Sequence, residues 1–201
     1  ESAISISGDP TRRGRLVHTV RAVGLTTEAI CRARAGQVLG VRGPFGTAWP
    51  VAEAEALDVV IVAGGIGLAP LRPAIYHVLA HRERYGRVVL LYGGREPEQL
   101  LYTRELRRWS SRPDVDVEVA VDTAGPGWRV RVGVVPGLIP AARFDPAAMA
   151  VEMLGQLAVD VYLPGTTNSP APVTMHGSAY QTNYISETGN HTGRAKLPEV
   201  A

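Results

Sequence analysis

The sequence predicts an α/β fold, a parallel sheet flanked by helices and preceded by a short stretch of antiparallel β structure. Two observations carry this. Residues 59–71 read VVIVAGGIGLAPL, an aliphatic run that passes into glycines and then into a helical pattern. Such a run, with no polar alternation, suits a strand covered on both faces. From there to about residue 121, strand-like and helix-like segments alternate, the order expected of a parallel sheet with right-handed crossovers.

Along the chain, residues 3–7 (AISIS) and 15–23 (RLVHTVRAV) predict strands, with Gly8-Asp9-Pro10 as a turn between them. Residues 26–34 predict a helix capped by Thr26 or Thr27, with Glu28 in its first turn. Residues 37–42 predict a strand that stops at Gly43-Pro44-Phe45-Gly46. Three strands and one helix are too few for an independent barrel. The chain also begins inside a strand-like pattern, so a missing N-terminal portion is expected. The alternating part predicts strand 59–63, helix 70–84, strand 88–92, helix 97–109 and strand 115–121. Pro70 suits the first helical position, where a missing N–H costs little, and Leu71, Ile75, Val78 and Leu79 share one helix face. Residues 125–140 read as a glycine- and proline-rich connection holding Trp128. Asp145-Pro146 predicts a helix through about residue 159, and the Thr-, Asn- and Pro-rich composition beyond residue 163 predicts loop or a poorly ordered tail.

Composition narrows the function. With 21 basic and 19 acidic residues there is no electrostatic basis for binding nucleic acid or a membrane surface. No apolar run reaches membrane-spanning length, so no membrane insertion is expected. Arg104, Arg107, Arg108 and Arg112, interrupted by Glu105, read as a solvated helix face. One cysteine, Cys31, supports neither a disulfide framework nor a cysteine-ligated cluster, and a cytoplasmic setting is expected. His77 and His81 lie four apart on a predicted helix, but two ligands make an incomplete site, so no metal centre is expected.

The strongest local motif is Gly64-Gly65-Ile66-Gly67-Leu68-Ala69-Pro70. Its glycines allow a tight turn and close approach of a ligand to the backbone. Free N–H groups at the start of the following helix favour an anion such as a pyrophosphate. The spacing, Gly65-x-Gly67-x-x-Pro70, departs from the dinucleotide fingerprint at its third glycine.

Five motifs in fixed order extend this reading: Ile4-Ser5-Ile6-Ser7, Val23-Gly24-Leu25-Thr26-Thr27, Arg42-Gly43-Pro44-Phe45-Gly46, the glycine stretch 63–71, and Tyr92-Gly93-Gly94-Arg95. The succession, over roughly residues 1–145, resembles the ferredoxin–NADP reductase superfamily. It is most similar to the gamma subunits of NAD(P)-linked hydrogenases and the electron-transfer subunits of dihydroorotate dehydrogenase. The resemblance implies residues 1–50 as the C-terminal part of an FAD-binding β-barrel domain, 51–147 as an NAD(P)-binding α/β domain, and 148–201 as an unassigned helix and tail. It implies that Ile4 packs on the flavin ring and Ser5 hydrogen-bonds near its reactive nitrogen. Thr19, Val20 and Arg21 then form the next flavin-contacting strand, Arg21 facing the pyrophosphate. Thr26 and Thr27 receive an FAD phosphate. Gly64, Gly65, Gly67 and Pro70 hold the nicotinamide dinucleotide, with Asp122 at the same sheet edge. At the end of the second strand Arg95 favours NADP and Glu96 favours NAD, with a slight lean to NAD.

The activity so implied is flavin-dependent electron transfer between NAD(P)H, FAD and an iron–sulfur or hydrogenase-type partner subunit. The fold supplies orientation, and no catalytic acid, base or nucleophile is called for. The sequence departs from the pattern in four ways. Ser2 stands where many relatives carry an arginine, and the front of the barrel is missing. The Cys-Gly-Pro turn beside the nicotinamide and the C-terminal cysteines of a [2Fe-2S] cluster are not found, so no cluster is expected within the chain. The alternative reading is a degenerate, non-catalytic module that docks in a redox complex.

Overall fold

The computed structural model describes residues 2–142, 149–154 and 193–196, the last two stretches by their backbone pairing. Its centre is a five-stranded sheet of order β5-β4-β3-β2-β6, parallel throughout. The strands are β2 (Asp58–Gly64), β3 (Val88–Gly94), β4 (Asp116–Val121), β5 (Arg131–Val132) and β6 (Met149–Leu154). Helices α2 (Leu68–Ala80) and α3 (Thr103–Ser110) connect β2 to β3 and β3 to β4.

Why β2 and β3 read as continuous apolar runs is now plain. Val59, Ile61 and Ala63 join Val88, Leu90 and Tyr92 in one core with Leu71, Ile75 and Val78 of α2 and Leu106 and Trp109 of α3. Their neighbours Val60, Val62, Val89 and Leu91 point the other way, into a second core closed by Ala120 and Leu138. Leu138 belongs to a 3-10 segment, Val135–Ala141, so the sheet is covered on both faces. Burying both faces of a central strand is what removes the polar alternation from its sequence.

The N-terminal part carries less regular structure than expected. Strands at 3–7 and 15–23 reduce to one antiparallel bridge, Ile6 to His18. The helix is shorter, α1 (Leu25–Cys31), and β1 (Val38–Val41) pairs antiparallel with β7 (Gly193–Lys196). No barrel is formed by the described residues: strands need lateral partners to become ladders, and this segment meets few. Residues 193–196, expected in the loop-like tail, are therefore a strand.

The helix expected over 145–159 is corrected in the part that is described. Residues 149–154 form β6, parallel to β2 from Asp58↔Met149 to Ala63↔Leu154. Satisfying the open edge of a buried strand outweighs local helical preference, a tertiary effect on a weak propensity. The remainder of that expectation lies outside the described residues. Two further boundaries differ. The second helix starts at Leu68 and ends at Ala80, and the third is preceded by a 3-10 turn at Pro97–Gln99. The 125–140 connection contains β5 and the 3-10 segment.

Candidate functional site

Three strands end together at the carboxyl edge of the sheet. Gly64 pairs with Gly93, and Gly94 pairs with Val121, so the turns after β2, β3 and β4 lie side by side. Ligands of open parallel sheets gather at this edge. After β2 the chain makes a 3-10 turn, Gly65–Gly67, and enters α2. Gly65 has φ +52°, a left-handed conformation that costs a residue with a Cβ roughly 1–2 kcal/mol. The turn is held on several sides. Tyr92 donates its hydroxyl to the Gly65 carbonyl at 3.1 Å and accepts the Leu101 N–H at 3.0 Å. The Trp49 indole N–H donates to the Pro70 carbonyl at 2.9 Å. Burial raises the pKa of the Tyr92 phenol, so it stays a neutral donor across the physiological range.

Of the residues expected at this site, Gly64, Gly65, Gly67, Pro70, Arg95 and Asp122 all fall on this edge. Pro70 occupies the third position of α2 rather than the first. Its missing N–H still belongs to the set that no helical carbonyl could accept. Asp122 follows β4 directly, its N–H bonded to the Gly94 carbonyl at 3.0 Å, and Thr123 N–H bonds the Arg95 carbonyl at the same distance. Arg95 and Asp122 are exposed. Arg21 joins them from the N-terminal segment: its Nη2 lies 3.8 Å from where a Cβ on Gly65 would sit. A Cβ on Gly64, by contrast, meets nothing within 4 Å. The turn thus offers open space over Gly64 beside the Arg21 guanidinium, an arrangement that fits a dinucleotide phosphate.

The remaining expected residues lie on the N-terminal segment. Ile4, Ser5 and Val20 are half-buried, and His18 Nδ1 is 3.1 Å from the Ser5 carbonyl. The Thr19 hydroxyl is bonded to the Ser7 hydroxyl at 2.9 Å and to the Tyr102 hydroxyl. On α1, Thr26 is exposed. Thr27 accepts the N–H groups of Val23 (3.0 Å) and Gly24 (3.2 Å) and donates to the Gly24 carbonyl (3.0 Å). That uses the whole capacity of a hydroxyl, so Thr27 caps its own helix. The donor set for a flavin phosphate on α1 is correspondingly thin, and Arg21 is shared with the glycine turn.

Several residues that shape the site carried no signal of their own in the sequence. Arg72 on α2 donates to Glu105 of α3 from Nε (2.7 Å) and Nη2 (2.5 Å), and to the Ser7 carbonyl from Nη1 (2.6 Å). Its guanidinium lies over the rings of Tyr102 (4.4 Å) and Tyr76 (5.3 Å), and the Tyr76 hydroxyl donates to Glu105 at 2.6 Å. Burial works against the Glu105 carboxylate, but the bonds from Arg72 and Tyr76 and the Arg72 charge outweigh it and hold its pKa below the usual range. Only the place of Arg72, two residues past Pro70 on the turn-bearing helix, pointed toward it. Among the described residues no group of three His, Cys, Asp or Glu side chains forms a metal site.

Comparison with known proteins agrees with this geometry. Residues 61–153 match the family described as Oxidoreductase NAD-binding domain. The gamma subunit of sulfhydrogenase 1 from Pyrococcus furiosus is 30% identical over 157 residues, 77% of this chain and 54% of that protein. The probable electron transfer subunit of dihydroorotate dehydrogenase B (NAD(+)) from Methanocella arvoryzae is 44% identical over 55 residues, 27% of this chain and 20% of that protein. The chain thus spans about half the length, or less, of these relatives. In fold, a ferredoxin NADP+ reductase from Neisseria gonorrhoeae, solved with bound FAD and NADP, superimposes with a TM-score of 0.57 at 15% identity, over 76% of this chain and 65% of that one. Residues 61–153 thus belong to the oxidoreductase NAD-binding domain family, and the fold is that of the ferredoxin–NADP reductase-like proteins.

Proposed function

We propose that this chain is a flavin-dependent NAD(P)H oxidoreductase subunit that transfers electrons between NAD(P)H, FAD and an iron–sulfur partner subunit in a cytoplasmic complex. The observation that carries it is the meeting of Gly64–Gly67, Arg95 and Asp122 on one sheet edge, with Arg21 laid beside Gly65. In this reading the glycine turn and Arg21 bind the dinucleotide phosphates, Asp122 and the Arg95-Glu96 pair face the ribose end, and NAD is preferred. Ile4, Ser5, Thr19 and Val20 line the flavin side, and Thr26 supplies the exposed hydroxyl of α1. Bound FAD would supply the hydride-accepting and one-electron chemistry, and Ile4, Ser5, Thr19 and Val20 would hold it beside the glycine turn. The names of the relatives, a hydrogenase gamma subunit and a dehydrogenase electron transfer subunit, support a partner of this kind.

A second reading, a non-catalytic docking module, is favoured by the fully engaged Thr27 hydroxyl and the absence of a barrel among the described residues. One spectrum separates the two. The purified chain is incubated anaerobically with FAD, desalted, and mixed with NADH. A retained flavin band that bleaches supports the reductase reading; a colourless protein with no NADH-dependent spectral change overturns it and is the outcome the second reading predicts.

A further inference from the structure

Among the described residues, the most extensive polar constellation outside the glycine turn is a closed circuit through three parts of the chain. Arg72 holds the Ser7 carbonyl, the Ser7 hydroxyl meets that of Thr19, Thr19 meets the Tyr102 hydroxyl, and the Tyr102 ring lies back over the Arg72 guanidinium. Ser7 is completely buried, and the Arg72 and Glu105 side chains are only 15% and 19% exposed. No other connection of comparable density joins residues 4–21 to the helices among the described hydrogen bonds. We infer that Arg72 is a positioning residue: it sets the segment bearing Ile4, Ser5 and Thr19 against the turn that leads into its own helix. What is positioned, flavin against nicotinamide, rests on the proposed function. The placement of the segment does not.

The chemistry requires an arginine. Three acceptors, the Ser7 carbonyl and both Glu105 oxygens, lie around one planar group, and a guanidinium serves all three at once. A lysine carries the charge but cannot span the fork. Because Arg72 lies two residues beyond Pro70, a shift of the segment relative to α2 is a shift relative to the glycine turn.

The test uses the full chain and compares Arg72→Met, which keeps most of the aliphatic stem, with Arg72→Lys. Amide hydrogen exchange is read at Ser7, whose N–H bonds the Val17 carbonyl at 2.8 Å, and at Val60 and Leu90 in the sheet. In both variants Ser7 should exchange about tenfold faster while the sheet amides keep their rates. Unchanged exchange at Ser7, equal acceleration of the sheet, or full protection in Arg72→Lys would overturn the inference. With FAD and NADH, the dissociation constant for NADH should change less than about threefold while the first-order rate of flavin bleaching falls at least about tenfold. A loosened Ser7 with an unaltered bleaching rate overturns the positioning role. If the wild-type chain binds no flavin, the functional reading fails and the exchange data alone decide the placement.

Discussion

At the scale of single residues, the glycines around the sheet edge divide by what a side chain would meet. Gly93 has no room: a Cβ there would run into the Val135 side chain and lie 3.3 Å from the Ala120 carbonyl. Gly93→Ala should therefore cost roughly 1–3 kcal/mol of stability by overpacking, measured by urea denaturation. Gly64 is the converse. Its φ of −122° suits any residue, and its Cβ direction is open. Gly64→Val should leave stability within about 0.5 kcal/mol of wild type yet weaken NADH binding at least about tenfold, read by titration calorimetry. A stable variant that binds NADH as tightly as wild type would remove the glycine turn from the site. The two positions look alike in the sequence, as does Gly65, and only the packing around each tells a folding constraint from a ligand constraint.

At the scale of elements, α3 shows how little of a short helix is anchored by its own sequence. Eight residues with three arginines on the exposed side do not make an independently stable helix. What fixes it is Leu106 and above all Trp109, 2% exposed, packed edge-on against Tyr76 at 5.9 Å and joined to the core of β2, β3 and α2. Trp109→Ala should cost about 3–5 kcal/mol, visible as a lower denaturation midpoint. The expected solvated arginine face holds for Arg104, Arg107 and Arg108, which are exposed, whereas Arg112 pairs with Asp114 at 2.7 Å. The strand β6 makes the opposite point. The sequence predicts a helix over these residues, because the decisive partner, β2, lies some ninety positions earlier in the chain.

At the scale of the molecule, the part-buried Arg72–Glu105 pair joins the N-terminal segment to the helical layer, and its ionisation should be felt in global stability. The folded-state pKa of Glu105 is depressed, so its contribution is fully present above the ordinary carboxylate pKa and is lost as pH falls through the lower folded value. Unfolding free energy measured at decreasing pH should decline in the acid range, and Glu105→Gln should flatten that part of the decline while lowering stability at neutral pH. A Gln variant with the wild-type slope would place the acid sensitivity elsewhere. The parallel sheet, its central strands and the glycine turn were determined by sequence alone, because a doubly covered strand and a strand–turn–helix are encoded within a dozen neighbouring residues. The pairing of β6 with β2, the sparse strand structure of the N-terminal segment, the placing of Arg21 beside Gly65 and the Arg72 circuit were decided only by tertiary structure. Each depends on which surfaces meet across tens of residues, and periodicity and local propensity carry no record of that meeting.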